Sequence, residues 1–78
     1  MLLSELARSE VGIVDAVHAL SADDVIAHRL RDLGFVSGEP VRVVATSPFG
    51  GDPIVVQIGF TRFALRHAEA ARVHLRSA

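Results

Sequence analysis

VRVVATSPFGGDPIVVQIGFTRFAL, Val41 to Leu65, is a β pattern broken once by a loop and once by a lone glycine. Val41, Val43 and Ala45 alternate with Arg42, Val44 and Thr46, the spacing of a strand with one buried face. Ser47-Pro48-Phe49-Gly50-Gly51-Asp52-Pro53 then gathers loop formers, with Gly50, Gly51 and Pro53 as its turn residues. Beyond it, 54–58 and 60–65 read as two strands joined tightly near Gly59, a hairpin. Pro40 begins the first of these strands, where its missing N–H is tolerated.

Upstream, Val36-Ser37-Gly38-Glu39 places Gly38 where a type II turn requires positive φ, so the chain reverses before Pro40. Gly34 fits the left-handed position that closes a helix, with Phe35 packing back on Leu30. The helix before it is predicted to start at Ser21 as N-cap, with Ala22, Ile26, Leu30 and Leu33 as its apolar stripe. Asp23 and Asp24 suit the positive end of its dipole, Asp24 in an imperfect capping box. VGIVDAVHAL, 11–20, is rich in β-branched residues and predicts the first strand, with Val11, Ile13, Asp15, Val17 and Ala19 on one side. At the far end, 67–72 favours one or two helical turns and Val73-His74-Leu75 a last short strand. Four or five short strands, one inserted α-helix and a short C-terminal helical turn predict an all-β fold, a small closed or partly closed β-barrel.

Composition limits what such a barrel does. A chain of 78 residues builds one core at most, so 1–78 is expected to be a single domain. Half its residues are hydrophobic and its four aromatics are all Phe, so Val, Leu, Ile and Ala must fill that core. Eight Arg, no Lys and nine acids leave a formal net charge of −1, which supplies no basic field for nucleic acid. Mean hydropathy is +0.39, yet charges interrupt every apolar run short of the ~20 residues of a spanning helix, so no membrane insertion is predicted. The start of the chain lacks the pattern of a secretory signal, which makes the cytoplasm the expected location. With no Cys, disulfides, thiolate metal sites and thiol nucleophiles are excluded.

Three segments then carry a resemblance. Arg29-Leu30-Arg31-Asp32-Leu33-Gly34-Phe35-Val36-Ser37-Gly38 resembles the R-L-x-x-L-G-hydrophobic-x-x-G segment of the FeoA family. Ser47-Pro48-Phe49-Gly50-Gly51-Asp52-Pro53-Ile54 is similar to its P-x-G-D-P turn, the paired Gly50-Gly51 being a departure from a single glycine. Ala64-Leu65-Arg66 followed by Glu69-Ala70 is similar to its A-L-R-x-x-E-A end. The three stand in the family's order, and the resemblance, which covers Leu3 to Leu75, implies an SH3-like barrel. They also imply an accessory role in ferrous iron transport beside the FeoB permease, through that partner's cytoplasmic GTP-binding domain. A related barrel closes the iron-dependent repressors, so the resemblance leaves a second role open, that of a ferrous-ion-binding regulatory domain.

The candidate chemistry is sparse. His18, His28, His67 and His74 show neither the i, i+4 nor the H-x-H spacing that puts two imidazoles on one face, so no metal site is predicted; His67 and His74 are the ones folding can bring near a carboxylate. Gly50-Gly51 lacks the Lys of a phosphate-binding loop and Pro53 removes a donor, so neither cofactor nor GTP is expected to bind there. Every Ser and Thr has a reading as a cap, turn or surface residue, so no enzyme is predicted. Surfaces remain. Pro48 and Phe49 can form an exposed contact flanked by Asp52 and Arg62, or Phe49 can plug the barrel end; Arg29 and Arg31 can meet acids on a partner. Without Trp or Tyr, a groove for proline-rich peptides is not expected.

Overall fold

A computed structural model describes residues 1–48 and 50–77. Its five strands are β1 (Val11–Val17), β2 (Pro40–Thr46), β3 (Ile54–Ile58), β4 (Thr61–Leu65) and β5 (Val73–Ser77). Helix α1 (Val25–Asp32) lies between β1 and β2, the four-residue α2 (His67–Ala70) between β4 and β5, and a 3-10 turn covers Leu3–Glu5. All pairs are antiparallel, in the order β4-β3-β2-β1-β5. β4 and β5 are thus the two lips of a partly closed barrel, and α2 is the link that carries the chain from one to the other. Residues 1–2 lie along β5: Leu2 bridges to His74 and the Leu75 N–H donates to the Met1 carbonyl at 2.7 Å.

The alternation holds through β3 and the first half of β2, with Val41, Val43, Ile54, Val56 and Ile58 buried; a register shift between Val43 and Ala45 then breaks it, leaving Val44 and Ala45 both half-buried. The 58–61 hairpin turn is one residue longer than the lone Gly59 between 54–58 and 60–65. Ile58 pairs with Thr61, which leaves Gly59 and Phe60 as a two-residue turn. Gly59, at φ +57°, takes the first central position that favours glycine, so Phe60 is a turn residue and not the first residue of β4.

The first strand is shorter than 11–20, ending at Val17, and it does not keep a period of two. A register shift between Val14 and Ala16 turns the chain so that Val14 and Val17, three apart, are both buried. Helix α1 likewise starts later than Ser21. Asp24 is its N-cap, accepting from the amides of Ile26 at 3.1 Å and Ala27 at 3.2 Å. Ser21 and Ala22 stay outside the helix and exposed, and the stripe facing the core is Ile26, Ala27, Leu30 and Leu33. Asp24 displaces Ser21 because a carboxylate accepts several N–H groups at once.

The far end of α1 closes as expected. The Phe35 N–H donates to the Leu30 carbonyl and the Gly34 N–H to that of Arg31, the two bonds of a Schellman closure, with Gly34 at φ +111°. Phe35, 1% exposed, enters the core. Gly38, at φ +95°, sits in the following turn, closed by the Glu39 N–H on the Val36 carbonyl. Val14 stitches that turn to β1 through both its N–H and its C=O.

One buried ion pair crosses this framework. Arg72 Nε meets Asp24 Oδ2 at 2.7 Å, and the same oxygen accepts from the Leu20 amide at 2.9 Å. The Arg72 guanidinium first, then the Leu20 and Ala27 amides, hold the Asp24 carboxyl well below its ordinary 3.8. The folded chain therefore takes up this proton less readily than the unfolded one. The stabilisation is complete above the ordinary carboxylate range, shrinks as pH falls below about 3.8, and is lost once folded Asp24 protonates. Thermal melts of Asp24→Asn are expected to lose that acid-limb dependence. Arg72→Met is expected to lower the Tm far more than Arg76→Met, whose pair with Asp15 is exposed at 3.4 Å.

Two substitutions weigh the packing. Leu3, fully buried under α2 and β5, is expected to cost about 2–5 kcal/mol on truncation to Ala, read from urea unfolding. Gly34→Ala is expected to cost about 1 kcal/mol or more; the nearest atom to the new Cβ is Ile58 Cγ2 at 3.9 Å, so the cost is backbone conformation and not a clash.

Candidate functional site

Among the described residues the interior is lined by apolar side chains. Leu3, Val14, Phe35, Val41, Val43, Val56 and Val73 are fully buried side chains that fill it. Among the described residues no cluster of three His, Asp or Glu side chains can hold a metal ion. No helix among them is long and apolar enough to cross a membrane.

Several of the residues singled out from sequence turn out to be joints. Asp52 Oδ1 accepts from the His67 amide at 3.1 Å and so ties the 47–53 loop to the first turn of α2. Glu69 Oε1 accepts from the Arg66 amide at 2.8 Å, capping the same turn from inside. Arg31 reaches back to donate to the Val17 carbonyl at 2.8 Å, fastening α1 to the end of β1. Asp52 and Arg31 make these contacts from exposed positions, each with one polar atom committed to the fold. Arg29 and Pro48 are exposed, with nothing engaging them among the described residues; Phe49 lies outside the described residues. Gly50 and Gly51 both take positive φ, and the Gly51 N–H closes the loop on the Ser47 carbonyl at 3.0 Å, a turn as expected.

His67 and His74, the two that folding could bring near a carboxylate, lie in different surroundings. His74 stacks on His18, ring centroids 3.7 Å apart and planes within 18°, while His67 stands exposed beside Asp52. The stacked pair spans β1's exit and β5, 56 residues apart, so no spacing rule on one element reveals it; only the β1–β5 register does. Stacked rings set their nitrogen lone pairs side by side and not converging on one ion, which makes this a packing contact.

The most open apolar group is Phe60. At the tip of the β3–β4 turn its side chain is entirely in solvent. Beside it lies a groove of about 370 Å³ lined by Val11, Glu39, Pro40, Val41, Arg42, Gln57 and Gly59. Arg62, the one partner-contact residue from the sequence that belongs here, donates from Nε to Gln57 Oε1 at 3.1 Å. Phe60 was overlooked because alternation counted it into the strand. The cue was Gly59, which fits the first position of a two-residue turn and forces the next side chain outward.

Comparison with known proteins agrees with this architecture. No curated protein matches the chain. Among solved structures, FeoA of Stenotrophomonas maltophilia is 56% identical with a TM-score of 0.91, over 97% of this chain and 89% of that one. That protein is described as an SH3 domain protein complexed with zinc and is put forward as a bacterial ferrous iron transport activating factor. FeoA of Chlorobium tepidum is 32% identical with a TM-score of 0.82, over 99% of this chain and 70% of that one. A manganese-dependent transcriptional repressor, 22% identical with a TM-score of 0.81, is covered over 41% of its length and shares the fold. The FeoA domain model matches residues 1–77. With that match spanning nearly the whole SH3-like barrel, the chain belongs to the FeoA family.

Proposed function

We propose that this chain is a non-enzymatic cytoplasmic accessory of ferrous iron uptake that binds the FeoB permease, through its GTP-binding domain, and modulates transport or GTP turnover. The observation that carries this reading is the division between a core packed shut and a surface with an unpaired aromatic and arginines. A barrel filled by its own side chains acts through what it touches. Its relative from Stenotrophomonas, put forward as a transport activating factor, supports the same role. Titration into the purified GTP-binding domain, apo, with GDP and with a GTP analogue, is expected to give saturable heat and a changed hydrolysis rate. Absence of both, there and with full-length permease, would sink the adaptor reading.

A ferrous-ion-binding regulatory role is the second reading, favoured by the repressor-like barrel and by the zinc on the Stenotrophomonas protein. The geometry of His18 and His74 argues against it. Anaerobic calorimetry with Fe²⁺ is expected to show no saturable heat. Stoichiometric binding that disappears in His18→Ala or His74→Ala would reverse the order of the two readings.

A further inference from the structure

Charge is unevenly placed along the chain. Between Pro40 and Arg66 stand Arg42, Arg62 and Arg66 against the single acid Asp52, whose carboxylate already receives the His67 amide. The strand register sets Val11, Arg42, Gln57 and Arg62 in one row across four strands. Cross-strand neighbours lie about 4.5–5.5 Å apart at Cβ, so two arginine stems flank one glutamine on the outer face. Among the described residues neither arginine has an ion-pair partner. Gln57 holds Arg62 through its Oε1 and braces the Gly59 carbonyl through its Nε2 at 3.0 Å. It therefore steadies both a charge and the turn that presents Phe60.

We infer that this end of the barrel is the docking face for an acidic protein surface with an apolar pocket. Phe60 enters the pocket, Val11 and Pro40 floor the adjoining groove, and Arg42 and Arg62 meet carboxylates. The inference rests on the adaptor reading and names the surface that reading requires. Charge selects the occupant. A second copy docked by two-fold symmetry would bring the arginine row against itself, which like-charge repulsion opposes. An anionic bilayer is held by clusters of about 4–8 basic residues, and this face has two, with Glu39 at the groove's rim. A fully exposed aromatic at a braced turn has the character of an interface anchor, with little ordering left to lose on binding.

The test is calorimetry of the wild-type chain, Phe60→Ala, the double variant Arg42→Glu/Arg62→Glu, and Val25→Ala, an exposed apolar residue on α1. Each is titrated into the GTP-binding domain and into full-length permease, at low and high salt, with phosphatidylglycerol vesicles as a parallel probe. Phe60→Ala is expected to weaken binding at least ~10-fold with an unchanged Tm, and the double variant to lose the salt-dependent part, while Val25→Ala binds as wild type. Variants that bind as wild type overturn this face and leave the adaptor reading standing. A wild-type chain that binds neither form of the permease overturns both. Vesicle binding that disappears in the same variants, with permease binding intact, overturns the protein occupant.

Discussion

The ion pair of Asp24 and Arg72 fixes what the hydrophobic core cannot. Apolar burial is non-directional, and a core of Val, Leu, Ile and Ala around Phe35 tolerates sliding of its parts. The Asp24 carboxylate is specific: it receives N–H groups from Leu20, Ile26, Ala27 and Arg72. Arg72 in turn donates from Nη1 to the Ala68 carbonyl, and its own carbonyl accepts from the His18 amide. Four junctions meet at this pair: the exit of β1, the start of α1, the end of α2 and the entry to β5. Each partner removed alone leaves the other's charge buried without compensation, so the pair locks the two helices onto the two ends of one sheet order.

The same economy explains the motifs by which the family is read. The Gly-Asp-Pro turn and the Arg-x-x-Glu end look like separate signatures along the chain, yet Asp52 and Glu69 serve one four-residue helix, from outside and inside. So short a helix has no stability of its own. It exists because two carboxylates take the N–H groups of Arg66 and His67 at its start and because Ala70 is fully buried. Asp52, singled out from sequence for its charge, thus also carries a fold contact through one carboxylate oxygen.

What was legible in the sequence was what is local. Strand β3, β2 as far as Val43, the Gly34 closure and the Gly38 turn depend on neighbours within a few residues, and those patterns held. What was missed depends on distant contacts. Nothing near Asp24 announces Arg72, 48 residues on, so Ser21 looked the better cap. Nothing in the first residues announces that Leu3 is fully buried, because that burial is made by α2 and β5. The bulge after Val14 breaks an alternation that composition alone left intact. The stacking of His18 on His74 follows from strand order, and a search for metal spacing within single elements passes over it.

A net charge of −1 hides how the charges are sorted. Glu5, Glu10, Asp24, Asp52 and Glu69 all accept backbone N–H groups at turns and helix starts, which is where carboxylates are most useful to a folded chain. Because chain reversals lie at the ends of strands, this use draws the acids away from the middle of the sheet. Arginines face the opposite constraint: long stems lie well along a strand's outer face while the guanidinium stays in water. The outer row of β2 to β4 is therefore basic as a consequence of how the acids fold the chain, even though the whole is slightly acidic. A partner approaching from a distance meets a nearly neutral particle, and one approaching that row at contact range, within a Debye length of about 8 Å, meets two arginines. Selection by this face is thus short-ranged: it discriminates partners after encounter, by whether carboxylates and an apolar pocket arrive in register.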